Sequence, residues 1–166
     1  DGSCQVVTLS SHPRYRWGSG TRTTFNGTRG AASPALGIVE STGTYPEDAL
    51  LQFACVFDGL QAAQNLMVQF ALRLDRGSGG DTFFAGVSTD GQTFYGRRWR
   101  NTPPAPDGAA DGPYVWANQR LFAPFIGGAT DAGGRVAVLW EFRSDAVRTD
   151  AQGAWLDEIV VDQHAP

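Results

Sequence analysis

The stretch Asp81–Arg100, DTFFAGVSTDGQTFYGRRWR, decides how this chain is read. Phe83, Ala85 and Val87 alternate with Phe84, Gly86 and Ser88. A period of two puts the first set on one face of a strand and the second on the other. Asp90-Gly91 then supplies a residue pair that tolerates the positive φ angles of a two-residue hairpin turn, so the chain is expected to reverse there. The returning segment interleaves Phe94, Tyr95 and Trp99 with Arg97, Arg98 and Arg100. That is more aromatic and cationic surface than one strand buries, and part of it is expected to face outward.

The same two-residue alternation recurs on either side. Leu66, Val68, Phe70, Leu72 and Leu74 alternate with Met67, Gln69, Ala71 and Arg73, and Val136, Val138, Trp140 and Phe142 alternate with Ala137, Leu139, Glu141 and Arg143. Leu66, Val68, Phe70, Leu72, Val136, Val138, Trp140 and Phe142 are therefore expected to face a common core. Shorter strands are expected over Cys4–Leu9, Ala35–Glu40, Leu50–Phe57 and Ala154–Val161, with an edge strand over Leu121–Ile126. Ser10–Gly30 reads as an irregular loop, and the Pro-rich run Asn101–Pro113 interrupts any central strand. No window of about 11 residues carries a capped helical stripe. About nine or ten strands spaced by Gly and Pro predict an all-β, antiparallel two-sheet jelly-roll β-sandwich.

Composition bounds the rest. With 166 residues and 42% hydrophobic content the chain suits one domain, 1–166, with its own core. Its 21 Gly and 9 Pro fit a turn-rich β protein. A formal net charge of -4 lacks the positive field that phosphate binding needs, which argues against nucleic acid. No apolar run is long enough to cross a bilayer as a helix, so no membrane insertion is expected. Cys4 and Cys55 form the only possible pair, and bridging them would staple the N-terminal strand to the body. A disulfide implies an oxidising compartment and hence a secreted protein; two buried thiols are the alternative.

Three segments carry a family resemblance: Gly80–Gly91 (GDTFFAGVSTDG), Val136–Asp145 with its end Phe142-Arg143-Ser144-Asp145, and Gly153–Val161 with Leu156-Asp157-Glu158-Ile159. Together they resemble the jelly-roll sandwich domains of the MAM-like and immune-inhibitor-like type and carbohydrate-binding modules of similar topology. The last segment has Glu158 where those families place a second Asp, and nothing at Ser3–Leu9 matches the N-terminal calcium-holding segment of such modules. The resemblance implies an accessory domain, a monomer within a larger extracellular chain, and a structural calcium held partly by Asp157. Asp81 and Asp145 offer further hard oxygen ligands near strand ends, although such aspartates also serve as turn caps.

Catalysis finds little support. The two histidines, His12 and His164, lie in a polar loop and near the end of the chain, away from any triad-like arrangement. Asp157 and Glu158 are sequence neighbours, so on a strand their side chains diverge and cannot flank one glycosidic bond. Tyr95 with Arg97 or Arg98 only faintly echoes the jelly-roll polysaccharide lyases. Sugar recognition needs flat aromatic faces with polar groups at their edges. Tyr95, Trp99, Tyr114 and Trp116 flank the Pro-rich run, with Arg97, Arg98, Asn118 and Gln119 to supply the polar edge. The expected function is a non-catalytic module that binds a polysaccharide or oligosaccharide. The alternative is a protein-interaction, adhesion or protease-accessory domain in which all these aromatics are core.

Overall fold

A computed structural model describes residues 2–8, 16–20, 35–39, 45, 47–58, 65–75, 80–99, 117–123, 134–147 and 153–164. Among them are ten strands: β1 (Gly2–Thr8), β2 (Arg16–Gly20), β3 (Ala35–Val39), β4 (Leu50–Phe57), β5 (Asn65–Asp75), β6 (Thr82–Ser88), β7 (Tyr95–Trp99), β8 (Ala117–Ala123), β9 (Val136–Arg143) and β10 (Gly153–His164). They form two five-stranded sheets, β1-β4-β9-β6-β7 (sheet I) and β2-β3-β10-β5-β8 (sheet II), with antiparallel neighbours throughout. From β4 onward the chain passes repeatedly from one sheet to the other, so most strands pair with partners distant in sequence. This is the jelly-roll sandwich expected from the alternation.

The core is built from alternate positions of the central strands. On β9, Val138, Trp140 and Phe142 are fully buried, and on β5, Val68, Leu72 and Leu74 are too. All eight residues expected to face inward do so. Phe70 of sheet II reaches across the layer to three rings of sheet I, at centroid distances of 6.3 Å from Phe83, 5.9 Å from Trp99 and 6.2 Å from Trp140, each edge-on. Phe53 stacks on Trp140 from within sheet I at 5.4 Å. Offset and edge-on arrangements are the favoured ones for π systems, so the rings contribute more than their buried area.

A polar knot closes one end of sheet I. The Tyr45 hydroxyl donates to Oδ2 of fully buried Asp81, and the Asp145 backbone N–H donates to Oδ1 at 2.9 Å. The Ala49 N–H donates to Ser144 Oγ at 2.8 Å, and the Ser144 N–H returns to the Ala49 carbonyl at 3.0 Å. The segment before β4 is thereby fastened to the end of β9.

Four sequence expectations are corrected. The turn between β6 and β7 is not a two-residue hairpin: Val87 pairs with Tyr95, and the loop between the strands runs from Thr89 to Phe94. Asp90 shapes this longer turn, its Oδ1 accepting from the N–H groups of Gln92 and Thr93 and from the Ser88 hydroxyl, each at 2.8 Å, while Gly91 takes φ 71°. Arg16–Gly20, expected to be loop, is β2, paired along its length with β3. The edge strand expected at Leu121–Ile126 is β8, starting at Ala117. The last strand extends to His164 and is broken by a bulge between Asp157 and Val160, where Glu158 holds φ 48°.

Phe70→Ala should cost about 4 kcal/mol of unfolding free energy, as Phe-to-Ala changes in cores do, because it empties the contact among three rings. Val147→Ala, at an exposed position, should stay within about 0.5 kcal/mol. Urea titration followed by tryptophan fluorescence checks both.

Candidate functional site

The aromatic and cationic strip lies on β7, one of the two edge strands of sheet I. Its register against β6 pairs Trp99 with Phe83, Arg98 with Phe84, Arg97 with Ala85 and Tyr95 with Val87. Tyr95, Arg97 and Trp99 therefore share the side of Phe83, Ala85 and Val87, which are core, while Arg98 faces the other way. The strip is divided between two faces.

Trp99 is 4% exposed, packed at 5.5 Å against Phe83 and at 5.9 Å against Phe70. It is a core residue and presents no open face for a ligand. The Arg97 guanidinium lies 5.2 Å from its ring centroid, a cation–π contact that holds the charge over the rim of the core. Tyr95 is 65% exposed. Its position and that of Arg97 are two residues apart on one side of an extended strand, about 7 Å between Cα atoms. A flat phenol ring beside a planar cation is thus presented at the sandwich edge. On the opposite face, Arg98 lies 5.6 Å from the Phe84 ring centroid, with Nη1 3.5 Å from Thr82 Oγ1. A Cβ on Gly86 would meet the Phe84 ring at 2.6 Å, so glycine there is what lets this ring lie down on the sheet.

Tyr114 and Trp116 fall outside the described residues, as does the run between them and β7. Asn118 and Gln119 occupy β8, the edge strand of the other sheet, whose nearest neighbours in sheet I are β7 and β6. Asn118 pairs with Ala71 and Gln119 with Phe70, so the two occupy register positions on opposite faces of sheet II.

The three aspartates proposed as metal ligands do not converge. Asp81 and Asp145 meet in the polar knot at the end of sheet I, where both Asp81 oxygens already accept protein hydrogen bonds. Asp157 lies in sheet II, paired with Ala71 on the side turned away from the core, and its Oδ1 accepts the Glu158 N–H at 2.8 Å. Calcium takes six to eight oxygens around one point, and among the described residues no group of three Asp, Glu, His or Cys side chains is placed to hold a metal ion. Cys4 and Cys55 are direct register partners across β1 and β4, and no described cysteine is a free thiol.

Sequence reasoning passed over the outer face of sheet II. Trp155 pairs with Arg73, and Asp157 with Ala71, on the side opposite Ala154, Leu156, Leu72 and Leu74. The signal was present, since Arg73 stands between two leucines and Trp155 is two residues before Asp157.

No protein-family model matches the chain, and no curated protein does either. Solved structures do match. The chain is similar to the K1 cleaved adhesin domain of Lys-gingipain from Porphyromonas gingivalis W83, with a TM-score of 0.55 and 12% identity over 98% of this chain and 90% of that one. A family-61 carbohydrate-binding module solved with β-1,4-galactotriose matches with a TM-score of 0.51 and 13% identity over 97% of this chain and 88% of that one. The enzymatically active domain of tailspike protein 4 from bacteriophage CBA120 matches with a TM-score of 0.51 and 7% identity over 98% of this chain but only 19% of its own length. At these identities the likeness is one of fold.

The turn beside Tyr95 has a measurable signature. The N–H groups of Thr93 and Gln92, followed by the Ser88 hydroxyl, hold the Asp90 carboxyl well below its ordinary value of 3.8, at about 2. Because the folded-state pKa is the lower one, the turn's contribution is complete above the ordinary carboxylate value and is lost as pH falls from about 4 towards 2. A carboxyl-detected NMR titration should show the Asp90 midpoint near 2, and Gln92 and Thr93 amide shifts should follow it.

Proposed function

We propose that this chain is a non-catalytic carbohydrate-binding module, a secreted accessory domain of a larger extracellular protein that acts as a monomer. The observation that carries the reading is Tyr95, 65% exposed on an edge strand with Arg97 two residues away on the same side. A phenol face stacks on the C–H groups of a pyranose while the guanidinium donates to its hydroxyls. An acidic glycan suits the site further, since the arginine fork pairs with carboxylate or sulfate in two parallel bonds. The fold supports this reading, being that of the galactotriose-bound module. The non-catalytic part rests on the adjacent carboxylates of β10, with Asp157 buried and Glu158 exposed, which leaves them unable to flank one bond. Tyr114 and Trp116 belong to the proposal as further stacking surfaces; Trp99 serves it only by holding Arg97.

Secretion rests on the proposed bridge between Cys4 and Cys55. Directly opposed residues of an antiparallel pair have Cα atoms about 4.5 to 5.5 Å apart, within the range a disulfide spans. The protein should therefore show no alkylatable thiol by mass spectrometry until it is reduced. A structural calcium would have to draw on carboxylates from both sheets, since Asp81 and Asp145 meet at the end of sheet I and Asp157 lies in sheet II.

A second reading, a protein-interaction or adhesion domain without a glycan ligand, draws on the adhesin likeness. A glycan array run with calcium and with chelator separates the two. The carbohydrate reading predicts binding to at least one glycan class, lost or weakened roughly tenfold in Tyr95→Ala with Arg97→Ala, an effect of the size anchor residues have at interfaces, with the melting temperature unchanged. An array that stays blank in both conditions hands the function to the second reading. A chelator that leaves the melting temperature unmoved removes calcium from the account.

A further inference from the structure

The outer face of sheet I contains a row of side chains that the core does not use. Glu141 of β9 pairs with Phe84 of β6, and Phe84 pairs with Arg98 of β7. The three stand side by side on the face opposite core residues Ala85 and Trp140. Phe84 and Glu141 are half-buried, Arg98 is exposed, and Phe84 is no part of the core cluster.

Two glycines shape the seat of the ring. A Cβ on Gly86 would meet the Phe84 ring at 2.6 and 2.8 Å, so the ring lies over the backbone there instead of standing up from the sheet. Gly86 pairs with Gly96, which is exposed and whose own Cβ would meet the Ala85 carbonyl oxygen at 1.9 Å. Bare backbone therefore borders the ring on the β7 side, and such places let a ligand approach a sheet closely.

The two charges of the row are kept apart. Neighbouring strands lie about 4.8 Å from each other, which sets the Glu141 and Arg98 backbones about 10 Å apart with the ring between them. Among the described residues neither has an oppositely charged partner. Gln52 Nε2 donates to Glu141 Oε2 at 2.7 Å, which orients the carboxylate and leaves Oε1 to accept. The Arg98 guanidinium is 5.6 Å from the Phe84 ring centroid. A stacked contact would be about 4 Å, so Arg98 borders the ring without resting on its centre.

We infer that Glu141, Phe84 and Arg98 form a second binding site, on the outer face of sheet I, that takes a hexuronate unit. Such a unit has three matching features: ring C–H groups for the phenyl face, a carboxylate on C5 for the guanidinium fork, and hydroxyls across the ring, at C2 and C3, that donate to Glu141 Oε1. A neutral sugar leaves Arg98 without an anion. A simple anion leaves the ring and Glu141 unused. The choice of a sugar rests on the carbohydrate reading above; the place of the site and its preference for an acidic unit rest on this row and not on Tyr95 and Arg97.

The test is an NMR titration of the whole domain with 13C-labelled phenylalanine and tyrosine rings, Phe84 and Tyr95 being assigned by loss of signal in Phe84→Leu and Tyr95→Leu. The probes are trimers of galacturonic, glucuronic and mannuronic acid, β-1,4-galactotriose and acetate. At least one acidic trimer is expected to move the Phe84 ring resonances in a saturable way, about tenfold more tightly than galactotriose, the worth of a charge-assisted contact. Arg98→Gln, at an exposed position, should bring that trimer down to the galactotriose level with the melting temperature unchanged. Tyr95→Ala with Arg97→Ala should leave the Phe84 response in place. A trimer that moves Tyr95 while Phe84 stays still overturns the second site and leaves the rim reading intact; one that moves Phe84 alone sustains the second site and removes the rim reading. Phe84 resonances unmoved by every acidic trimer, or moved equally by galactotriose or acetate, overturn the inference. So does an Arg98→Gln domain that binds the trimer as tightly as the parent.

Discussion

Phe70 holds the two layers in register. It projects from the middle of β5 and touches Phe83, Trp99 and Trp140 on three neighbouring strands of the opposite sheet. Sheets packed face to face sit about 10 Å apart, a gap that aliphatic side chains fill but only rings of this size cross with contact on several sides. Around it, Leu51, Val68, Leu72, Val138 and Phe142 close the remaining space. The polar knot of Tyr45, Asp81, Ser144 and Asp145 then seals one end without bringing an unsatisfied group into the core.

That constraint decides where recognition can occur. Residues facing inward on the central strands are consumed by packing, including Trp99 and Trp140, so aromatic content alone says nothing about binding. What remains is the rim, where β7 runs past the packed layer and exposes Tyr95 and Arg97, and the outward faces of the sheets. The two arginines of β7 illustrate the rule. Arg97 is on the core side and caps Trp99, whereas Arg98 is on the outer side and lies over Phe84.

Period-two alternation is legible where a strand has one wet face and one dry face, and β5 and β9 meet that condition over most of their length. Their inward residues could be named from the sequence alone. β2 could not, because Arg16-Trp17-Gly18-Ser19-Gly20 has no apolar alternation and is held as a strand by its pairing with β3. The β6–β7 turn was misjudged in length because Asp90 bonds three donors and so organises a longer loop than Asp-Gly alone suggests. Trp99 was misplaced for a related reason: a tryptophan among arginines looks exposed until its register with Phe83 is known. Sheet register also relates Trp155 to Arg73 and Gly37, residues about 80 and 120 positions away in a chain whose alternation carries no information on such pairings.

The account holds that the interior of this sandwich is a fixed packing unit and that ligands are met on its rim and outer faces. A crystal structure of the domain soaked with the best-binding oligosaccharide from the array tests this most directly. The account predicts sugar density against Tyr95 and Arg97, with the Phe70 contacts to Phe83, Trp99 and Trp140 unchanged. Density only elsewhere than at this rim, or a ligand that inserts between the sheets and parts Phe70 from these rings, would contradict it.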